Sequence, residues 1–234
     1  MNTAQLGSGD LRKTFFSLSA PAILAQIVTV VYNMVDRIFI GQLPDSRSMM
    51  AAIGFVAPIT LLVTAFTALL GNGGAPLCAI RLGKGQRDEA EHIMSNSFSA
   101  LMISGAIIMA VCLLFCEDIL RAFHAEGKLL EYAASYLRVY ILGTFFVQIS
   151  VGMNPYINTQ GHARVGMTTV AAGAGLNVIL DPIMIYALDL GVVGAAIATV
   201  LSQGLSAFLV LRFLNSECSG MRLGCAICVL SGTF

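Results

Sequence analysis

An amide and a carboxylate lie four residues apart inside a long apolar segment of this sequence. Asn177 and Asp181 both fall in the run from Val165 to Leu190, and this spacing places two side chains on the same face of a helix. Pro182 has no backbone N–H, so the carbonyl of Val178 lacks its usual helical donor one turn from the carboxylate. Hard cations prefer such oxygen ligands. The pattern therefore indicates an ion or proton site, and the alternative is a structural hydrogen bond between helices.

A second carboxylate, Asp36, lies in the outer half of the first apolar segment, with Tyr32 one helical turn before it. A carboxylate at the centre of a bilayer costs roughly 2.5–3.5 kcal/mol on insertion scales, so such groups usually face the interior of a bundle and have a function there. One interpretation is a buried site for an ion or proton. The other is an interfacial carboxylate paired with Arg37 or Arg47.

The composition is that of an integral membrane protein. Of the 234 residues, 57% are hydrophobic and 11% are charged, and the mean hydropathy is +0.82. A soluble core of this size would need far more charged surface. The formal net charge is zero and Lys and Arg form no long run, so we expect lipid and membrane solutes, and no nucleic acid, as partners.

Three common sequence motifs of enzymes are absent. The sequence has no H-E-x-x-H zinc motif, no nucleotide-binding P-loop and no G-x-S-x-G nucleophile elbow. The three histidines share no ligand spacing. The prediction is a protein that is not an enzyme and has no resident cofactor.

Six segments have the roughly 20-residue length that a membrane-spanning helix requires. We therefore predict an all-α, integral membrane bundle of six transmembrane helices over residues 1–214, followed by an atypical tail at 215–234. The six predicted spans are near Thr14–Gly41, Met49–Ile80, Ile93–Cys116, Tyr132–Met153, Val165–Leu190 and Val192–Leu214.

The distribution of basic residues predicts the orientation, because cytoplasmic loops are enriched in Lys and Arg. With six alternating spans, one side of the membrane carries most of them, and we expect that side, with both termini, to face the cytoplasm of a cell membrane. That side holds Arg12, Lys13, Arg81, Lys84, Arg87, Arg164, Arg212 and Arg222, whereas the other holds Arg47, Arg121 and Lys128.

Several stretches resemble one transporter family, the multidrug and toxic compound extrusion (MATE) family, in its prokaryotic branch. The similar stretches are Ser-Ala-Pro-Ala-Ile at 19–23, the segment 32–41 around Asp36, the basic loop 81–90, Asn-Val-Ile-Leu-Asp-Pro at 177–182 and the small-residue segment 191–199. The resemblance extends from about Asp10 to Phe213. It implies that the bundle corresponds to the N-terminal six-helix lobe of a twelve-helix, two-lobe fold.

The resemblance also implies functional residues. Asp36, Asn177 and Asp181 would form a cation-coupling site, where Na⁺ is a candidate metal ion, and Thr199 and Asn154 would line the same cavity.

Pro21 would match the family's first-helix proline and act as a hinge. The implied activity is antiport, in which H⁺ or Na⁺ enters and an amphipathic, cationic drug or toxic compound leaves. The cavity of such transporters lies between two lobes, so we expect a second lobe, or a second copy of this chain, as a partner.

Two alternatives remain at this stage. A flippase for lipid-linked sugars, from the same superfamily, would need cationic side chains for pyrophosphate, and Arg37 and Arg138 are the candidates. A non-transporting membrane scaffold or inactive fragment belongs to a different class.

Overall fold

The computed structural model describes residues 11–216 and Met221, and within these residues the chain consists of helices joined by short turns. The prediction of an all-α membrane bundle is confirmed. Most of the predicted tail, 215–234, lies outside the described residues. In chain order the helices are α1 (Leu11–Gly41), α2 (Ser46–Gly83), α3 (Arg87–Leu114), α4 (Cys116–Ala122), α5 (Gly127–Leu142), α6 (Thr144–Gly152), α7 (Asn154–Thr159), α8 (Ala163–Pro182), a π-helical turn (Ile183–Ala187) and α9 (Gly191–Leu214).

Five apolar helical segments in the described part of the chain are each long enough to cross a bilayer. They are Ser19–Gly41, Ser46–Gly83, Arg87–Leu114, Ala163–Ala187 and Gly191–Leu214. Two further apolar segments, Gly127–Leu142 and Thr144–Thr159, meet at an angle of 55° and together have the length and composition of a sixth span. The predicted six spans are therefore found when this bent pair counts as one.

The bend between α5 and α6 lies at Gly143, where the chain packs closely against α9. A Cβ atom at this position would lie 2.6 Å from Cγ2 of Val200 in α9, which is too close for any side chain. The sequence predicted one continuous span at Tyr132–Met153, whereas the structure divides this region between α5 and α6. Hydropathy detects how long an apolar segment is but contains no information about its direction.

Most of the apolar core lies among α2, α3, α5, α6 and α9. Helix α1 lies outside this core and packs mainly along α8. Large apolar side chains on much of its surface are exposed, including Ile23, Ile27, Val30 and Met34. The helix is therefore attached to the bundle along one side, which is the side that carries Asp36.

Candidate cation site

The predicted pair on α8 is buried and its two side chains contact each other. The exposed fraction of the residue is 1% for Asn177 and 0% for Asp181. Nδ2 of Asn177 donates a hydrogen bond of 3.1 Å to Oδ1 of Asp181. The four-residue spacing therefore has the geometry that the sequence predicted, with both groups facing the bundle interior.

Three oxygen atoms at this place lack a hydrogen-bond donor among the described residues. They are Oδ1 of Asn177, Oδ2 of Asp181 and Oδ1 of Asp36, and all three are buried. A buried acceptor without a partner costs about 1–3 kcal/mol, and more when it is charged. Because the orphaned atoms are all oxygens, the site fits a hard cation or a proton.

Asp36 faces Asp181 from the neighbouring helix. The residue is half-buried in α1, and its carboxylate is close enough to that of Asp181 for a direct electrostatic interaction. Two like charges in a place of low dielectric constant repel each other, so a cation or a proton between them is favoured. The two aspartates thus lie within electrostatic range of each other on α1 and α8, and we call the space between them the pocket.

The alternative for Asp36 was a surface ion pair with Arg37 or Arg47. Arg37 acts on Asp36 electrostatically, but both arginines are exposed and neither forms a salt bridge with Asp36 in the described part of the chain. The salt bridges found there join Arg81 to Glu89, and Arg121 and Arg138 to Glu117. Asp36 therefore forms no salt bridge in the described part of the chain, and its carboxylate interacts electrostatically with that of Asp181.

Helix α5 contributes two tyrosines that the sequence analysis did not select. The buried Tyr136 interacts electrostatically with both Asp36 and Asp181, and Tyr140 interacts with Tyr32 on α1. The two α5 rings are stacked, with centroids 6.0 Å apart and planes 12° from parallel. Their four-residue spacing within a membrane helix is a signal that could have identified them, since it places two phenols on one face.

The other predicted residues lie at different places. Thr199 is half-buried on α9, one helical turn before Gln203, whose Oε1 accepts a hydrogen bond of 2.6 Å from Oγ of Ser150. Pro21 is buried within α1, which continues through it as a helix.

Asn154 is not brought to the pocket. Its Nδ2 donates to the carbonyl of Gly166 and to Oγ1 of Thr169, both at 3.1 Å. Thr169 precedes Asn177 by eight residues, about 12 Å along α8. The contacts of Asn154 therefore attach α7 to the beginning of α8.

Known proteins share this fold and much of this sequence. The profile of the MatE family matches residues 21–183. The multidrug export protein MepA of Staphylococcus haemolyticus (strain JCSC1435) is 31% identical over 88% of this chain and 45% of its own length. The protein of the same name from Staphylococcus aureus (strain NCTC 8325 / PS 47) is 30% identical over 88% of this chain and 46% of its own length. The chain thus spans about half the length of the curated relatives it matches.

Solved structures agree with the sequence comparison. A crystal structure of MATE in complex with MaD3S superposes with a TM-score of 0.89 at 30% identity, over 96% of this chain and 50% of that one. The outward-facing conformation of a multidrug resistance MATE family transporter of the MOP superfamily gives a TM-score of 0.88 at 31% identity, with the same coverage. By its sequence, its helices and its six crossings, this chain belongs to the MatE family of membrane transporters.

Proposed function

We propose that this chain forms one six-helix lobe of a cation-coupled exporter of drugs or other toxic organic compounds. H⁺ or Na⁺ moves inward across the cytoplasmic membrane, and an amphipathic, cationic compound moves outward. The observation that carries the proposal is the group of three buried, orphaned oxygens on Asp36, Asn177 and Asp181. The names of the multidrug export relatives support the class of substrate.

Coupling follows from the electrostatics of the pocket. A cation or proton between Asp36 and Asp181 removes the repulsion between them and favours close packing of α1 on α8. Occupancy of the pocket therefore changes the position of α1, and with it the affinity for the organic cation. Such coupling is reciprocal, so the bound compound weakens cation binding by the same factor.

The proposal includes a second six-helix lobe, because the transported compound binds between two lobes. That lobe belongs to the same polypeptide, to another chain or to a second copy of this one. No resident cofactor takes part, since the pocket exchanges ions and forms no covalent bond.

One of the two arginines that would serve a flippase, Arg138, is paired with a carboxylate. Its Nη2 donates to Oε1 of Glu117 at 2.8 Å. This pairing argues against Arg138 as a ligand for pyrophosphate, and Arg37 is the other candidate.

The test measures release of a fluorescent cationic dye in lipid nanodiscs that hold the purified chain together with its second lobe. Sodium is titrated at fixed pH, and pH is titrated without sodium. We expect either cation to release the dye from the wild-type chain. We expect Asp36→Asn and Asp181→Asn to abolish this dependence while leaving membrane insertion intact, because each variant removes one of the two charges.

Asp189→Asn is the matched control. Asp189 is exposed beyond the pocket at φ +52°, a backbone conformation that Asn adopts readily. We expect it to behave as wild type. Cation-dependent release that persists in both pocket variants would refute the proposal.

The same variants are then assayed for efflux in cells that also supply a second lobe. We expect Asp36→Asn and Asp181→Asn to lose cation-driven efflux at normal protein levels. Unchanged dye efflux in both variants would contradict the assigned role.

A further inference from the structure

A groove of about 290 Å³ lies on the surface of the first half of α2. All of its lining residues are apolar, and they are Ala51, Gly54, Phe55 and Pro58 of α2 and Phe123, which directly follows α4. Ala51, Gly54 and Pro58 are exposed, so this groove, which we call the α2 groove, opens outward from the bundle. None of the residues of the cation site lines it.

Gly54 helps to leave the α2 groove open. A Cβ atom at this position would meet nothing within 4 Å, whereas at Gly143 and Gly194 it would collide with a neighbouring helix or turn. Glycine in the middle of a helix lowers its stability relative to alanine. Close packing among the described residues does not explain Gly54, and its missing side chain leaves room for a ligand.

The depth of the α2 groove matches one leaflet of a bilayer. Helix α2 is one of the membrane-spanning segments, and it rises about 16 Å from Arg47 to Pro58. This rise is close to half of a hydrocarbon core of about 30 Å. The exposed Leu62 continues the same apolar face one turn further along the helix. An apolar groove at this depth fits an acyl chain.

Arg47 places a positive charge at the end of the α2 groove nearest the turn between α1 and α2. It precedes Ala51 by four residues, on the same helical face. It is exposed and forms no salt bridge among the described residues. Asp45, the nearest carboxylate in sequence, instead accepts hydrogen bonds from Ser48 at 2.8 Å and from Tyr132 at 3.2 Å, one on each oxygen.

The charge of Arg47 also selects between classes of amphipathic ligand. A guanidinium group binds phosphate through several N–H donors. It repels a cationic compound of the kind that we propose is transported. An apolar groove with a guanidinium at its end therefore matches a ligand with a negative head group and an apolar chain.

We propose that the α2 groove binds one phospholipid, with an acyl chain along Ala51, Gly54 and Pro58 and the phosphate paired with Arg47. In the orientation that the basic residues predict, this lipid belongs to the outer leaflet. The site is independent of the ion that drives transport, because it shares no residue with the cation site.

The experiment uses the chain purified together with its second lobe, in vesicles of phosphatidylethanolamine and phosphatidylglycerol. A small fraction of the phosphatidylglycerol carries a photoreactive diazirine halfway along one acyl chain. After irradiation, mass spectrometry measures the labelled fraction of residues 51–58. The reference is the labelled fraction of Ile103 and Ile107, exposed apolar residues of α3 that report general contact with lipid.

Two variants are compared with matched controls. Gly54→Leu fills the α2 groove with a side chain, and Gly73→Leu is its control, because a Cβ at Gly73 of the same helix also meets nothing within 4 Å. Arg47→Gln removes the positive charge in the first turn of α2. Its control is Arg87→Gln, which changes an exposed arginine at the first residue of α3.

We expect residues 51–58 of the wild-type chain to be labelled several-fold more than the reference. Gly54→Leu should lower this ratio to that of the reference, and Gly73→Leu should leave it unchanged. Arg47→Gln should lower it by roughly 2-fold to 5-fold, as expected for one basic residue at a membrane surface, and Arg87→Gln should not. Unlabelled phosphatidylglycerol should compete better than diacylglycerol, which has no phosphate.

Equal labelling of residues 51–58 and the reference in the wild-type chain would overturn the proposal, and it would indicate that the second lobe covers the groove. Labelling that persists in Gly54→Leu, or that falls equally in Gly73→Leu, would also contradict it. If neither Arg47→Gln nor the loss of phosphate from the competitor has an effect, the groove binds acyl chains without recognising a phospholipid, and the proposed site is wrong. Where Gly54→Leu does not fold, Ala51→Leu decides.

Discussion

The contacts of Asn177 favour a cation site over the alternative, in which the buried carboxylate of Asp181 is always protonated. Its amide donates to one oxygen of Asp181 and presents its own carbonyl oxygen to the pocket. In the proposed site, one side chain would thus hold a charged ligand in position and supply a neutral ligand. Leucine has the same branching at Cγ and can do neither.

We expect Asn177→Leu to weaken cation binding by roughly 10-fold to 100-fold, because hydrogen bonds to charged groups contribute about 1.5–3 kcal/mol. The measurement is the sodium or proton concentration that half-releases the bound dye. Asn96→Leu, at an exposed amide on α3, is the control and should bind as wild type. Equal affinities for Asn177→Leu and wild type would argue for a purely structural amide.

For individual residues, the sequence was informative where a single helix carries both side chains of a contact. The spacing of Asn177 and Asp181 was sufficient to predict their contact, because side-chain direction repeats within a helix. Tyr136 was missed, since its direction depends on how α5 is rotated against α1. Asn154 was expected in the pocket by resemblance and instead contacts Gly166 and Thr169.

Among the elements, the π-helical turn after Pro182 packs closely against α9. It begins two residues after Asp181, and π-helical turns are frequent at functional sites. Its Met184 carbonyl lies against Gly194 of α9, where a Cβ atom would be 2.6 Å from the oxygen. A glycine at this position therefore lets α9 touch the backbone beside the pocket.

We expect Gly194→Ala to lower stability by about 1–3 kcal/mol, because the added methyl group meets backbone that cannot move aside without shifting the turn. Thermal unfolding in nanodiscs measures the effect. Gly175→Ala is the control, since a Cβ at Gly175 meets nothing within 4 Å and alanine is the better helix former. Similar melting temperatures for the two variants would contradict the packing argument.

The same turn is bonded to the end of α1. Oη of Tyr186 donates to the carbonyl of Phe39 at 2.5 Å, and the two rings meet edge to face with centroids 6.2 Å apart. The phenol thus adds a second hydrogen bond to a carbonyl in the last turn of α1, which also accepts the N–H of Gln42 at 3.2 Å. The C-terminal end of α1 and the turn that follows α8 are thus joined beyond the pocket.

We expect Tyr186→Phe to keep the ring contact and to lose about 0.5–1.5 kcal/mol of local stability. Hydrogen exchange should then rise by roughly 2-fold to 10-fold at the amides of Gln42 and Leu43, which bond to carbonyls in the last turn of α1. Mass spectrometry of the peptide covering 36–45 measures this. Exchange that rises equally in α3 would indicate general destabilisation instead.

For elements, hydropathy predicted the existence of the spans and the approximate ends of five of them. It could not predict the break in the fourth, because Leu142, Gly143 and Thr144 are as compatible with a straight membrane helix as with a bent one. The close contact at this break, between Gly143 and Val200, joins residues that are distant in sequence.

For the whole molecule, the distribution of charged residues predicts how the chain is oriented in the membrane. We expect an exposed position at the start of α3 to be cytoplasmic and an exposed position in α4 to be external. In a variant without the six native cysteines, Arg87→Cys should react with a membrane-impermeant maleimide only after permeabilisation, and Asp118→Cys should react in intact cells. The reverse labelling pattern would invert the orientation.

The shape of the lobe has a practical consequence. Helix α1 packs chiefly against α8 and exposes many of its large apolar side chains. We therefore expect contacts with the surrounding acyl chains to contribute much of the stability of its position. The chain length and head group of a detergent will therefore matter more for this helix than for α9. Delipidation that leaves the rest of the protein folded will first loosen the wall of the pocket that carries Asp36.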